Sequence, residues 1–257
     1  MFSYLTALLL CFYLIFPELS LALETKLTVL KPVGMKKSDV DPSDWDYFLQ
    51  PINLNTPPIR VVGKEGTVAG NIYNIRGRVF AVKKFITAYG DAMDLFKEKK
   101  LLRLSMKPWV KKHLPPKQGK PARLLYLKAE IITWDEDKKL FKAEKNARLN
   151  LFPYIGGGQA SSTPTLTITG EQIIAYMDVK EIISQGRARV KNARGFARGL
   201  ILTYFDKENL VKLSGNIEQP AIAEKLIYNP SKAKIEKQRI KGEMILYDTS
   251  DESYYSE

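Results

Sequence analysis

Few side chains in this sequence are of a type and spacing that support covalent or acid–base chemistry. The single histidine, His113, sits in a run that holds Lys111, Lys112, Pro115 and Pro116, and the single cysteine, Cys11, lies inside an apolar N-terminal stretch. A Ser-His-Asp or Cys-His relay needs an imidazole beside its nucleophile, and zinc needs three or four N, S or O ligands. One histidine and one leader cysteine leave almost no room for either. The acids Asp135, Glu136 and Asp137 follow Trp134 and precede Lys138 and Lys139. Glycoside hydrolysis would need two such acids facing each other across a cleft at about 5–10 Å, whereas three in succession beside two lysines read as a solvated turn. Gly156-Gly157-Gly158 lacks the Lys-Ser/Thr that closes a phosphate loop. No catalytic residue, no metal ligands and no cofactor are therefore expected, and the chain reads as a non-enzyme.

Binding is a different matter. Forty Lys and Arg against 28 Asp and Glu give a net charge of +12, which favours a polyanionic partner: nucleic acid, anionic lipid head groups or a phosphorylated glycolipid. Arg187, Arg189, Lys191, Arg194 and Arg198 form the densest candidate phosphate contacts. The odd-numbered alternation from 187 to 191 equally fits an ordinary solvated strand face. Residues 4–16 are apolar apart from Thr6, and Ser20 and Ala22 place small residues at the −3 and −1 positions of a cleavage site, so residues 1–23 read as a signal peptide or an N-terminal anchor. No Lys or Arg precedes the run, which departs from the usual signal. Export makes nucleic acid the least fitting polyanion, and with Cys11 in the leader no disulfide is available.

The elements that must position these residues are short and β-like. Residues 24–60 carry Pro32, Pro42, Pro51, Pro57 and Pro58 without periodicity and are expected to form an extended linker. From Val61 short runs rich in Val, Ile, Tyr and Thr alternate with turn residues; 61–127 is expected to be β-rich with a basic loop over 97–123, and 91–104 fits a short helix or two strands. A pattern then recurs through 128–247: a small or polar residue, an apolar residue three later and an aromatic two beyond. It occurs at Ala129-Ile132-Trp134, Glu171-Ile174-Tyr176, Gly199-Leu202-Tyr204 and Ala223-Leu226-Tyr228. Residues two apart on a strand share a face, so each unit has one apolar side, and stacking such units buries a continuous stripe. The stripe is expected to comprise Ile132, Trp134, Ile174, Tyr176, Leu202, Tyr204, Leu226 and Tyr228, with Ile182, Val190, Val211 and Leu213. Residues 248–257 form a polar, acidic tail. The spacing alone does not separate a filled structural core from a groove that holds a ligand.

The stretch Gly199 to Asn216, G-L-I-L-T-Y-F-D-K-E-N-L-V-K-L-S-G-N, resembles the repeat of the OstA-like (LptA/LptC) family of periplasmic lipopolysaccharide-export proteins. Residues 169–192 and 223–247 resemble neighbouring repeats, and 128–151 a degenerate one, so the likeness covers roughly half the chain. It implies an all-β fold, an elongated antiparallel sheet folded over itself as an open jelly roll. It also implies an apolar groove, faced by Leu202 and Tyr204, that takes the acyl chains of lipopolysaccharide or a related anionic glycolipid, while the Arg187–Arg198 cations meet its phosphates. A periplasmic location follows from the same likeness; exposed edge strands at the ends of such a sheet would favour head-to-tail β association with other bridge proteins, and the basic 97–123 segment, with Lys107, Lys111, Lys112, Lys117 and Lys120 around Trp109, fits either contact with an anionic membrane surface or a disordered Lys/Pro-rich loop. The rival expectation is a structural envelope β-solenoid whose core is filled and whose edges recruit protein partners.

Overall fold

The computed structural model describes residues 27–28, 35–53, 59–117, 120–155, 159–193, 195–229, 231, 234–249 and 253–256. The expected leader, Arg194 and Gly156–Gly158 lie outside them. Strands β1 (Leu27–Thr28) and β2 (Ile52–Asn53) form a small ribbon. The others join in one antiparallel sheet: β3 (Arg60–Val62), β4 (Glu65–Ala69), β5 (Ile72–Lys83), β6 (Ile86–Phe96), β7 (Leu101–Ser105), β8 (Trp109–Leu114), β9 (Arg123–Lys128), β10 (Ile131–Asp135), β11 (Leu140–Ile155), β12 (Gln159–Ala160), β13 (Leu166–Tyr176), β14 (Glu181–Lys191), β15 (Gly195–Phe205), β16 (Leu210–Ser214), β17 (Ala221–Asn229), β18 (Lys234–Gly242), β19 (Met244–Asp248) and β20 (Tyr254–Ser256).

The long strands belong to two walls at once. The first half of β5 pairs with β4 and its second half with β3. β6 divides likewise between β8 and β7, β11 between β10 and β9, and β15 between β17 and β16. The divisions fall in line and make a spine along which the sheet folds over. Two devices alternate there. At one, two successive residues take left-handed backbone: Gly77-Arg78 in β5, Met106-Lys107 between β7 and β8, Lys145-Asn146 in β11 and Gly186-Arg187 in β14. At the other, β6, β13 and β15 place Gly90, Gly170 and Gly199 where the next strand comes too close for a side chain; a Cβ on Gly199 would lie 2.8 Å from the Ser214 carbonyl oxygen. Beyond each of these glycines the inward positions switch from even to odd numbers or the reverse. This is the local consequence of a bulge.

Cross-strand partners share a face, so the pairings fix what points inward. In the first wall one row runs Ile75, Met93, Leu104, Ile132, Ala143, Ile173, Ser184, Leu202, Leu213, Ile245, and the next Tyr73, Leu95, Leu102, Trp134, Phe141, Ala175, Ile182, Tyr204, Val211, Tyr247. In the second wall the matching row runs Val61, Ala81, Ala88, Val110, Leu127, Leu149, Ile168, Val190, Ala197, Ala223, Ile240. Both walls contribute to one continuous apolar cluster. The single polar member of these rows, Ser184, donates its hydroxyl to the Thr169 carbonyl at 3.0 Å, as a buried hydroxyl must.

Two expectations change here, and one left open is decided. Residues 35–53 are not extended linker: a 3-10 turn (Lys37–Asp39) and helix α1 (Pro42–Leu49), with proline in its first turn, lie against the outside of the second wall. Met35 and Phe48 are buried there with Phe80 and Val82, beside Trp45, Tyr89 and Trp109. Arg60 donates to the Tyr47, Phe48 and Pro51 carbonyls and so satisfies the helix C-terminus. The basic 97–123 stretch is not one loop: it holds β7 in one wall and β8 in the other and ends at the first residue of β9. Residues 91–104 contain the end of β6 and most of β7, two strands and no helix.

Candidate functional site

All turns opposite the spine line up along a slit. Among the described residues its first-wall rim includes the turns at 97–100, 136–139, 177–180 and 206–209, and its second-wall rim includes 84–85, 115–117, 120–122 and 192–193. Among the described residues no backbone hydrogen bonds join the two rims, and the contacts across the slit come from side chains. Lys83 is paired with Glu136. Asn192 donates to the Tyr247 hydroxyl. At the centre, Arg123 grips Asp206 with both Nη atoms at 2.8 and 2.9 Å, Lys120 approaches the same carboxylate at 3.4 Å, and the Tyr204 hydroxyl donates to it at 2.9 Å. Arg123 comes from β9 and Asp206 from the turn after β15, 83 residues later.

This clamp sets the local electrostatics. Burial alone would raise the Asp206 carboxyl, but the Arg123 bonds and charge, with Lys120 and Tyr204, hold it below the ordinary range. The bond to Asp206 raises Arg123 in turn, despite its burial. Tyr204 is pushed up by burial and by the Asp206 charge. The pairing is a charge-assisted fork, a geometry specific to guanidinium and carboxylate.

Beside the clamp lie two hollows that share Lys120 and Arg123. The larger, about 630 Å³, is lined from the second wall by Lys112, Leu114 and Lys117 and from the first by Val179, Phe205 and Lys207. The smaller, about 250 Å³, reaches inward to Leu151, Leu166 and Tyr204. Lys112 occupies an inward position of its strand, between Ile86 and Leu125, and burial lowers its ammonium to about 8 while Asp178 across the slit opposes the shift. Val179 is buried in the core cluster although its turn holds φ at +56°, an uncommon conformation for a β-branched residue. It wedges into the slit from the first-wall rim.

Of the residues expected to form the stripe, Ile132, Trp134, Leu202, Tyr204, Val211, Leu213, Ile182 and Val190 point inward and are buried. Ile174 and Tyr176 do not. In β13 the inward residues are Ile173 and Ala175, which pair with Ala143 and Phe141, because the repeat starts at Gly170 and carries alanine where its relatives carry an aromatic. Leu226 is 44 % exposed on the outside of the second wall, since β17 stays within one wall and does not bend. The Tyr228 side chain lies outside the described residues. The arginine cluster is also misplaced by the sequence reading: Arg187, Arg189 and Arg198 border a hollow of about 390 Å³ at the spine side, and Lys191 points outward. The slit's own cations, Lys112, Lys117, Lys120 and Arg123, sit in the segment expected to be a basic loop. Of the acids after Trp134, Glu136 and Asp137 enter the tight turn foreseen, with Asp137 paired with Lys100 at 3.0 Å, whereas Asp135 ends β10, is buried rather than solvated and accepts the Lys138 amide.

No family model matches the chain, and no curated protein matches it. Among solved structures it is similar to LptH, the LptA-homologous periplasmic component of the lipopolysaccharide transport device from Pseudomonas aeruginosa. That likeness has a TM-score of 0.41 and 13 % identity, and it covers 50 % of this chain and 82 % of the other. Among the described residues no helix is long and apolar enough to cross a membrane.

Proposed function

We propose that this protein is a non-enzymatic carrier of an anionic glycolipid of the lipopolysaccharide kind across the periplasm, with the acyl chains between the two walls and the head group at the slit. One observation carries the reading: apolar rows from both walls run almost unbroken along a folded-over sheet that is open on the side opposite its spine. Each methylene taken out of water is worth about 0.8 kcal/mol, so a dozen recover roughly 10 kcal/mol. That is enough to compensate for separating side-chain bridges. The walls are covalently continuous at the spine and held only by side chains at the slit, so the acyl chains are admitted there by parting the rims. Lys112, Lys117 and Lys120 then meet the phosphates, in place of the Arg187–Arg198 cations. Passage to the next carrier uses the sheet's two end edges: β4 is exposed along its whole length and β18 along most of it, and open edges of this kind pair with another strand.

A specific observation favours the structural-solenoid reading. Trp134 and Phe141 are fully buried with ring centroids 5.4 Å apart, so the interior at that rung is already packed. Photo-crosslinking separates the two. A photoreactive residue at Leu202 or Leu213, inward, is expected to capture acyl-labelled lipopolysaccharide, while the same residue at Ile174 or Ile183, outward on the same wall, captures none. Equal labelling of both sets, or none at the inward sites, overturns the carrier.

A further inference from the structure

The outward rows of the second wall differ in charge from everything else on the sheet. Beyond the part covered by α1, one row runs Lys128, Arg148, Thr169, Arg189, Arg198, Ile222, Lys241. The row beside it holds Lys191, Phe196, Glu224 and Arg239. Lys128, Arg148, Arg189, Lys191, Arg198, Arg239 and Lys241 are all exposed. Among the described residues of these two rows Glu224 is the one carboxylate, and it lies 3.7 Å from Arg239. Neighbouring strands are about 4.8 Å apart, so the cations form a ladder along the molecule's length with none of the alternating sign that surface ion pairs produce. The first wall's outside contrasts with it: Arg76 is matched by Asp94 at 2.9 Å and Lys142 by Glu144 at 2.8 Å, and Ile174, Ile183 and Ile201 sit among them.

The same face of the second wall has an aromatic border on its slit side. Phe85, His113, Leu124 and Phe152 are successive cross-strand neighbours, Tyr154 packs on His113 at 5.1 Å, and Phe85 and Phe196 are 39 % and 38 % exposed. Cations over a broad face flanked by half-exposed aromatic rings match an anionic bilayer surface: head-group phosphates attract the first, and the polar-apolar boundary accommodates the second.

We infer that the outer face of the second wall docks on an anionic lipid membrane, laying the molecule lengthwise along it. This does not depend on the interior carrying lipid, because no residue of the ladder faces the slit or the core. Free phosphorylated glycans or duplex nucleic acid would meet the cations through phosphates alone, whereas a bilayer surface engages the cations and the aromatic border together.

The test is co-sedimentation of the full chain with phosphatidylglycerol/phosphatidylcholine vesicles and with phosphatidylcholine vesicles alone. Partition onto the anionic vesicles, falling steeply between low and physiological salt, is expected. The triple variant R148Q/R189Q/R198Q should lower it roughly a hundredfold, about fivefold per cation, while R103Q/K142Q on the outside of the first wall leaves it unchanged. Phe196→Ser should weaken it with the cations intact, a loss that mere counter-ion attraction would not show. Circular dichroism of each variant confirms that the fold is kept. Equal binding to neutral vesicles, an unaffected triple variant, or capture by dextran sulfate without capture by vesicles overturns the inference. Loss of inward photo-crosslinks with vesicle binding retained would instead refute the carrier and leave this face standing.

Discussion

At the scale of the residue, Lys112 and Asp206 titrate in opposite senses. Below about pH 8 the Lys112 ammonium is charged in the folded and the unfolded chain alike, so its burial cost is fully present. Between about 8 and its ordinary value of 10.5 only the unfolded chain keeps the proton, and stability climbs as pH rises. Lys112→Met should therefore stabilise the protein at neutral pH by about 1–3 kcal/mol and flatten that climb, as read from urea midpoints across the range. Asp206 is depressed instead, so it contributes stability above the ordinary carboxyl pKa of about 4 and loses it as pH falls through its folded value. Asp206→Asn strands Arg123 and Lys120 beside each other in a half-buried slit. A loss of about 3 kcal/mol is expected at pH 7, shrinking towards pH 3. Trp134→Ala removes a fully buried ring and should cost about 3–5 kcal/mol, unless acylated ligand fills the space, in which case part of the loss is recovered when it is added.

At the scale of the element, the two kinds of bend predict substitutions of opposite sign. Gly199→Val pushes side-chain atoms against the Ser214 carbonyl, which cannot move without shifting β16; a loss of about 1–3 kcal/mol is expected. Lys145→Gly, at a bend where φ is +63°, relieves a left-handed residue and should gain up to about 1 kcal/mol. Thermal melts of both variants check the pair. These bends also explain what could be read from the sequence. The motif of a small residue, then an apolar one three later and a second two beyond it, is the mark of a glycine-type bend: Gly90-Met93-Leu95, Ala129-Ile132-Trp134, Gly170-Ile173-Ala175 and Gly199-Leu202-Tyr204 all obey it. Requiring an aromatic in the last place shifted β13 by one residue and hid β6. The left-handed pairs left little trace, since Lys145-Asn146 and Met106-Lys107 contain no glycine to announce them. Helix α1 was obscured by the prolines around it, although Pro42 is where a helix starts. The slit was hidden for another reason: its cations sit close together in a stretch that reads as a loop, and only folding brings Arg123 to Asp206, 83 residues later.

At the scale of the whole molecule, the sheet has a sidedness that the net charge of +12 does not convey. The second wall carries the cations outward, the first wall balances its charges, and the interior is apolar. If end edges pair head to tail, the association should be concentration-dependent and should be blocked by Val68→Pro in β4, a strand that offers its full length to a partner. Analytical ultracentrifugation of the two proteins reads this directly.

The spine has one more consequence. Because each long strand passes through both walls at the same height, the cross-section is repeated from rung to rung and length is the one dimension left free. Deleting β13 and β14 together, from Leu166 to Lys191, would rejoin β11 to β15 antiparallel and shorten the molecule by about 10 Å with girth unchanged, a difference small-angle scattering resolves. Reach in such a design is set by the number of rungs, as a ruler's is by its graduations.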